Sequence, residues 1–353
     1  MNTRTPRTLR VATRRSDLAM AQSRMIGEWL SVLTGRPLEI VEITTKGDVD
    51  PAPLSQIGGT GVFVAAVRQA LLERRADIAV HSLKDLPTAP DERLYLAAVP
   101  RRVDPRDALV ARDAAALADL PVGARVGTGS PRRRAQLAAA RPDLELVDIR
   151  GNVDTRLARV TQDLDAVVLA VAGLTRLGRG EQISAHLEPE SMLPAPGQGA
   201  LAVEVHADLR PDPATGQGAD PPLTLALATL DHADTRAAVL AERSLLATLG
   251  AGCSAPVGAL AEVGDPEVDD DLNHAEVSGA VARGGRVRSL RLRAVLARAD
   301  GVLVHAESSA PLHEAEALGA RLAHQLLAQQ LLTDPPDPMH STRPRSTHRG
   351  SRQ

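Results

Sequence analysis

Gly127-Thr-Gly-Ser-Pro-Arg-Arg-Arg134 joins a short apolar run, Arg125 to Gly127, to a stretch with helical spacing, Pro131 to Ala140. Ser130 is placed to cap that helix and Pro131 to take its first position, where a hydroxyl satisfies one orphan N–H and proline has none to lose. The remaining free N–H groups attract an anion, and Arg132, Arg133 and Arg134 add charge in the same turn. A capped helix with a solvated basic first turn would also explain these residues. Arginine is unfavourable beside the positive end of a helix dipole, however, so three in succession point to a ligand. The spaced Gly-Lys-Ser/Thr of a nucleotide P-loop is missing.

The same plan of strand end, turn and capped helix recurs on both sides. Asp148-Ile-Arg-Gly-Asn-Val-Asp-Thr-Arg156 places Arg150 at a strand tip, Asn152 as a cap and Arg156 one turn into the helix. Ala12-Thr-Arg-Arg-Ser16 sets Arg14 just before Ser16, another candidate cap. Capping plus surface charge accounts for any one copy. Three copies suggest one cleft lined with arginine and hydroxyls, since open α/β sheets bind ligands where strand ends meet helix starts.

Farther out, strand-like and helical runs alternate. Leu9–Thr13, Leu38–Thr44, Asp77–His81 and Leu94–Val99 read as strands, with helices over Leu18–Leu30 and Val62–Arg74. Strands over Asp107–Ala111, 125–127, Leu144–Ile149 and Ala166–Leu169 repeat the pattern, with helices over 131–140, Asn152–Gln162 and Ala170–Leu177. Ala200–Val205 is one more strand, placed to return to the first domain across a hinge. The predicted units are therefore an α/β domain of residues 1–103 and 200–216 and a second of 104–199. The Pro- and Gly-rich stretch 211–222 reads as a linker. Beyond it an α+β domain, 217–333, has helices through Leu249, a turn at 250–252, strands near 255–263, 276–282, 290–296 and 302–307, and a helix near 311–332. The tail 334–353 lacks the apolar content to fold and is expected to be disordered.

Composition narrows the function. The chain has 353 residues, with 41 Lys+Arg against 44 Asp+Glu; that balance lacks the basic excess of a nucleic-acid binder. Its three aromatic residues, Trp29, Phe63 and Tyr95, cannot build a base-stacking platform. No apolar run approaches the ~20 residues that span a bilayer, and the basic N-terminus leads into a polar stretch, so a cytoplasmic protein is expected. Only two of the basic residues are lysine, Lys46 and Lys84. Lys84 stands beside Asp85 in Val80-His-Ser-Leu-Lys-Asp-Leu-Pro87, at the carboxyl end of a buried-looking strand. A surface ion pair would be worth little there; a carboxylate in an arginine-rich cleft could instead stabilise a cationic intermediate. Cys253, the sole cysteine, excludes internal disulfides and multi-thiolate metal sites. Lone thiols are mostly small buried hydrophobes, but the glycines of Gly250-Ala-Gly-Cys253 leave room for covalent attachment.

These segments, in this order, resemble the porphobilinogen deaminase (hydroxymethylbilane synthase) family. The resemblance runs from about Arg10 to Leu332 and also includes Lys46-Gly-Asp48 and Pro196-Gly-Gln-Gly-Ala200. It implies two domains like the lobes of a type II periplasmic binding protein plus the C-terminal α+β domain. It also implies a dipyrromethane cofactor held by thioether to Cys253. The implied reaction condenses four porphobilinogens head to tail, each losing ammonia, and releases hydroxymethylbilane. By the same resemblance Asp85 is catalytic, and Lys84, Thr128, Ser130, Arg132 and Arg133 bind the cofactor. Arg14, Ser16, Arg150, Arg156 and Gln198 bind substrate, and no metal takes part. The inventory suits this chemistry, because each pyrrole brings two carboxylates and charge-assisted hydrogen bonds hold them. A monomer free of nucleic acid and membrane is expected. The segment 47–61, rich in Gly and Pro, is expected to be a lid or a plain surface loop. Here Gln56 and Thr60 stand where the family often has basic residues, and Asp17 where it usually has Pro. Residues near 263–288 look like an insertion. A solute-binding protein could use the same lobes without Asp85 or Cys253, and a phosphate-ester enzyme could use the 127–134 loop with a metal cluster.

Overall fold

The computed structural model describes residues 7–44, 62–252, 255–264 and 288–332. The first lobe contains β1 (Leu9–Arg14), α1 (Asp17–Thr34), β2 (Leu38–Ile43), α2 (Val62–Leu72), β3 (Ile78–Ser82) and β4 (Leu94–Ala98). The second contains β5 (Asp107–Ala111), β6 (Arg125–Gly127), α3 (Pro131–Ala140), β7 (Glu145–Val147), α4 (Val153–Gln162), β8 (Ala166–Ala170), α5 (Val171–Arg176) and β9 (Ala185–Leu187). The chain then continues through β10 (Leu201–His206), α6 (Pro221–Leu230), α7 (Ala233–Thr248), β11 (Val257–Val263), β12 (Ser289–Ala297), β13 (Leu303–Pro311) and α8 (Ala315–Leu332).

Two five-stranded sheets share one topology, β2-β1-β3-β10-β4 and β7-β6-β8-β5-β9. In each the fourth strand is antiparallel to both neighbours and arrives from the other lobe: β5 enters the second sheet, and β10 returns to pair with β3 and β4. Two strands therefore cross between the lobes, as the isolated strand near 200–205 suggests, and the expected pair of α/β lobes is present. The central strand of each mixed sheet, β3 and β8, reads as an aliphatic run, Ile78-Ala-Val80 and Ala166-Val-Val-Leu-Ala170, because both faces are covered. The third unit is an antiparallel sheet, β11-β12-β13, with α7 and α8 packed on it through Leu245, Leu318, Leu322 and Leu326.

Packing does not change where composition does. Helix α6 follows the Pro- and Gly-rich stretch, yet Leu223, Ala226 and Leu227 join the first-lobe core with Leu9, Ile26 and Val203. Asp220 caps α6 and accepts two hydrogen bonds from Arg36, at 2.6 and 2.7 Å. The predicted strand near 276–282, the segment 47–61 and the tail lie outside the described residues. Among the described residues no helix is long and apolar enough to cross a membrane.

Candidate active site

All three predicted caps form. Ser16 Oγ accepts from Ala19 N, Ser130 Oγ from Arg133 N and Asn152 Oδ1 from Thr155 N, so three helices begin at strand ends on the cleft side. The second-lobe loops lie close together: a Cβ on Gly129 would sit 2.5 Å from the Ile149 carbonyl oxygen, which only glycine permits. Thr128, 1 % exposed, donates its backbone N–H to Val147 and accepts from Ser130 N through its hydroxyl.

The arginines after Ser130 divide. Successive residues on a helix are about 100° apart, so three cannot share a face. Arg134 turns outward to the Leu146 carbonyl, while Arg132 and Arg133 turn inward and are buried. Both meet Asp107, the fully buried first residue of β5: Arg132 Nη1 donates to Oδ2 at 2.7 Å, and Arg133 Nη2 and Nε donate to Oδ1 at 2.7 and 3.0 Å. Burial alone would raise the Asp107 pKa, but the two guanidiniums and a hydrogen bond from Gln198 hold it far below the usual carboxylate range. Arg132 is pushed below its ordinary value, first by burial and also by Arg133. Two guanidiniums share one carboxylate here, and Arg132 Nε has no hydrogen-bond partner among the described residues. Such a group is suited to one more anion.

Lys84 reaches this cluster from the first lobe. It lies in a single 3₁₀ turn, Leu83–Asp85, directly after β3, and its ammonium donates to Gln198 Oε1 at 3.3 Å. Burial and the nearby Arg133 and Arg132 push it down to about 8, against the pull of Asp85 and Asp107. Asp85 is exposed at the end of the turn. It lines one pocket with Arg14, Ser16, Gln22, His81 and Ser82, and Gln22 Nε2 donates to Ser82 Oγ at 3.0 Å to tie α1 to the end of β3.

Across the cleft Arg156 donates Nε to the Gly151 carbonyl. Burial pulls its pKa down, reinforced by Arg133 and Arg150 and opposed by Asp148 and by Asp85 of the first lobe. Arg150 is exposed at the tip of the same loop. Lys84 thus interacts electrostatically with Asp85, Arg132 and Arg133, and Arg156 with Asp85 and Arg133, while Arg14 and Ser16 line the pocket beside Asp85. Cys253 lies outside the described residues.

Gln198 has a different setting from a surface ligand. It is 1 % exposed, and its amide donates to the Pro105 carbonyl at 2.8 Å and to Asp107 Oδ1 at 2.9 Å while accepting from Lys84. Gly197 beside it has φ +75°, and a Cβ there would strike Leu83 Cδ2 at 2.4 Å. Gln198 thus joins both crossover connections to a cation of the first lobe. Gln198→Ala is expected to lower the unfolding free energy by about 1–3 kcal/mol, seen as a lower urea midpoint, and to lower kcat/KM as well, because it leaves buried partners unsatisfied. A pure ligand contact would leave the midpoint unchanged.

Three contributors have no motif in the sequence. Asp107 heads an apolar run. Arg176, at the end of α5, donates to the Gly199 carbonyl; burial pushes it down to about 10, and its Nε is unpartnered among the described residues. Glu242, on α7, is fully buried and accepts from Arg102 Nη1 at 2.6 Å, Gly197 N at 2.5 Å and Ala261 N at 2.8 Å, which fastens the crossover to the third unit.

Two α/β lobes joined by paired crossovers, with a cleft rich in arginine, define a two-lobed protein whose cleft carries an excess of positive charge. Residues 9–211 match the family model described as porphobilinogen deaminase, dipyromethane cofactor binding domain, and residues 236–328 match the porphobilinogen deaminase C-terminal domain. Porphobilinogen deaminase 1 of Streptomyces coelicolor is 54% identical over 335 residues, covering 92% of this chain and 96% of its own. Porphobilinogen deaminase of Thermobifida fusca is 52% identical over 330 residues, covering 91% and 93%. Among solved structures, an ABC transporter periplasmic substrate-binding protein from Coxiella burnetii is 14% identical with a TM-score of 0.40, over 63% of this chain and 92% of that one. The chain belongs to the porphobilinogen deaminase family. By family it is a transferase, a hydroxymethylbilane synthase of tetrapyrrole biosynthesis with a dipyrromethane cofactor.

Proposed function

We propose that the condensation of porphobilinogen is divided among the residues of this cleft, with Asp85 facing the cation left when ammonia departs and Cys253 carrying the cofactor. The observation that carries this reading is the buried Asp107 cluster, where two arginines and the neighbouring Lys84 outnumber the carboxylate that holds them. A dipyrromethane fits there because its acetate and propionate groups supply the missing negative charge, and Arg132 Nε is a buried donor awaiting an acceptor. Lys84, Thr128, Ser130, Arg132 and Arg133 would hold it, and when bound it supplies the pyrrole carbon to which the first porphobilinogen is joined.

Arg14, Ser16, Arg150 and Arg156 then take the carboxylates of porphobilinogen, and Gln198 keeps Lys84 in register with Asp107. Arginine suits this because its planar fork grips a carboxylate in two places. Positioning through the carboxylates leaves the aminomethyl carbon free to meet the growing chain. Asp85, on a short turn between Lys84 and Pro87, presents one negative charge where the positive charge develops. A monomer acting in the cytoplasm completes the proposal.

The test is intact mass. Protein made in a porphobilinogen-producing host is expected to exceed the chain mass by two linked pyrroles, with the adduct on the peptide that contains Cys253. An unmodified chain with saturable carboxylate binding would instead mark a solute-binding protein.

A further inference from the structure

Under α2 a second group of charges lies beside the pocket. Strands β3 and β10 pair so that His81 faces Ala202 and Ala79 faces Glu204, which puts His81 and Glu204 diagonally on one face of the sheet. Both are buried, 7 % and 3 % exposed. Arg68 reaches down from α2 and grips Glu204 in two places, Nε to Oε2 at 2.9 Å and Nη2 to Oε1 at 2.7 Å. His81 Nε2 lies 3.2 Å from Glu204 Oε2, at ion-pair distance though bent away from the hydrogen-bond line. The same imidazole lines the pocket with Asp85 and Arg14.

A carboxylate beside Nε2 favours the tautomer with its proton on Nε2, which leaves Nδ1 with the lone pair. A buried carboxylate that orients an imidazole and stabilises its protonated form is the arrangement that enzymes use to move protons. Arg68 fixes that carboxylate, so the ring is held from two layers back.

The family's reaction has a proton to move. When two porphobilinogen-derived rings join, the aminomethyl group leaves from its protonated form: the C–N bond of –CH2–NH3+ breaks with its electron pair on nitrogen, and neutral ammonia departs. A ring carbon of the acceptor then bonds to the methylene carbon. The C–H bond on that ring carbon breaks, its electron pair restores the aromatic ring, and one proton is set free.

We propose that His81, held by Glu204, is a further catalytic residue that accepts this proton on Nδ1 and passes it to the departing ammonia. Ammonium leaves, and the imidazole returns to its starting form. Asp85 and His81 then divide the labour: the carboxylate faces the cation before the bond forms, and the imidazole clears the proton after it. This rests on the reading of Asp85 given above, and turnover of porphobilinogen by Asp85→Asn holoprotein in the same assay tests that reading separately.

The experiment uses holoprotein with porphobilinogen carrying hydrogen or deuterium at its free ring α-carbon, and nitrogen-15 NMR of the histidines with His81→Gln as the assignment control. His81→Gln is expected to lower kcat about 100-fold or more with KM changed by less than about threefold. Its deuterium isotope effect on kcat should exceed that of the wild type, because proton removal becomes the slow step. Glu204→Gln retains the imidazole and is expected to lose about tenfold in kcat, with the same rise in isotope effect and loss of the Nε2–H preference seen by NMR. Where His81→Gln shows a lowered melting temperature or no cofactor colour with Ehrlich's reagent, Glu204→Gln decides. Wild-type isotope effects in both variants, or a His81 proton resting on Nδ1 in the wild type, would overturn the role.

Discussion

Asp85→Asn protein is expected to fold like the wild type, keep its dipyrromethane and turn over porphobilinogen about 10²–10³-fold more slowly, the usual cost of removing one preorganised electrostatic partner of a transition state. The prediction separates cleanly because Asp85 is exposed at the end of its 3₁₀ turn. That turn is closed by its own backbone, Leu86 N to the Leu83 carbonyl at 3.1 Å, so the carboxylate is not needed to build it. Substitutions at such positions move stability by about 0.5 kcal/mol or less. Around Asp85 the nearby ionisable groups are mostly cations, Lys84 on its own turn and Arg156 across the cleft. Those cations suit carboxylates and oppose a second positive charge, so on the proposed reading the cation formed on loss of ammonia depends on Asp85. Asparagine keeps the shape and removes the charge. The measurement is single-turnover ammonia release from holoprotein whose Ehrlich colour equals that of the wild type. A rate above about one tenth of wild type would assign the cation's partner to another group.

What the sequence revealed was local. The caps at Ser16, Ser130 and Asn152 follow from residue type beside a periodic run, and each is present. The return of 201–206 to the first lobe was legible as a strand left over after a loop, and it pairs with β3 and β4. Strand β9, three residues long, carries no alternation from which to read it. The third unit's helix α7 is capped by His232, a residue whose type gives a weaker signal than serine or aspartate. The fates of Arg132 and Arg133 were not local. Their partner Asp107 is 25 and 26 residues away, and the amide that completes the cluster is 91 residues from Asp107. A run of three arginines announces an anion without saying whether that anion belongs to a ligand or to the chain. Here Asp107 supplies the chain's share, and the proposed function assigns the cationic excess to the ligand. Likewise, the composition break near 211–222 marks a polar surface crossing, while α6 beyond it follows its leucines into the first core.

That division of charge gives the second large effect. Replacing Asp107 by Asn leaves Arg132 and Arg133 buried side by side without a counter-charge, and breaking a buried pair from one side costs about 3–5 kcal/mol. Asparagine can still accept from one guanidinium, which places the expected loss of unfolding free energy, read from the urea midpoint and slope of the holoprotein, toward the lower end of that range. The pH dependence has a definite sign. The Asp107 pKa is depressed in the folded chain, so its contribution to stability is complete above the ordinary value of 3.8 and is lost as the pH falls beneath it. The gap between wild type and Asp107→Asn should therefore be full at pH 7 and shrink at pH 3, where the unfolded wild-type chain already binds the proton. Activity should fall with stability for a separate reason, since Gln198 loses its Oδ1 acceptor and with it the anchor for Lys84. Adding Arg133→Met to Asp107→Asn removes one of the stranded charges and is expected to recover part of the midpoint without recovering turnover, because the ligand loses a cation. Recovery of both together would mean that the cluster serves only the fold; recovery of stability alone would show that these two arginines are held ready for a carboxylate that the chain does not provide.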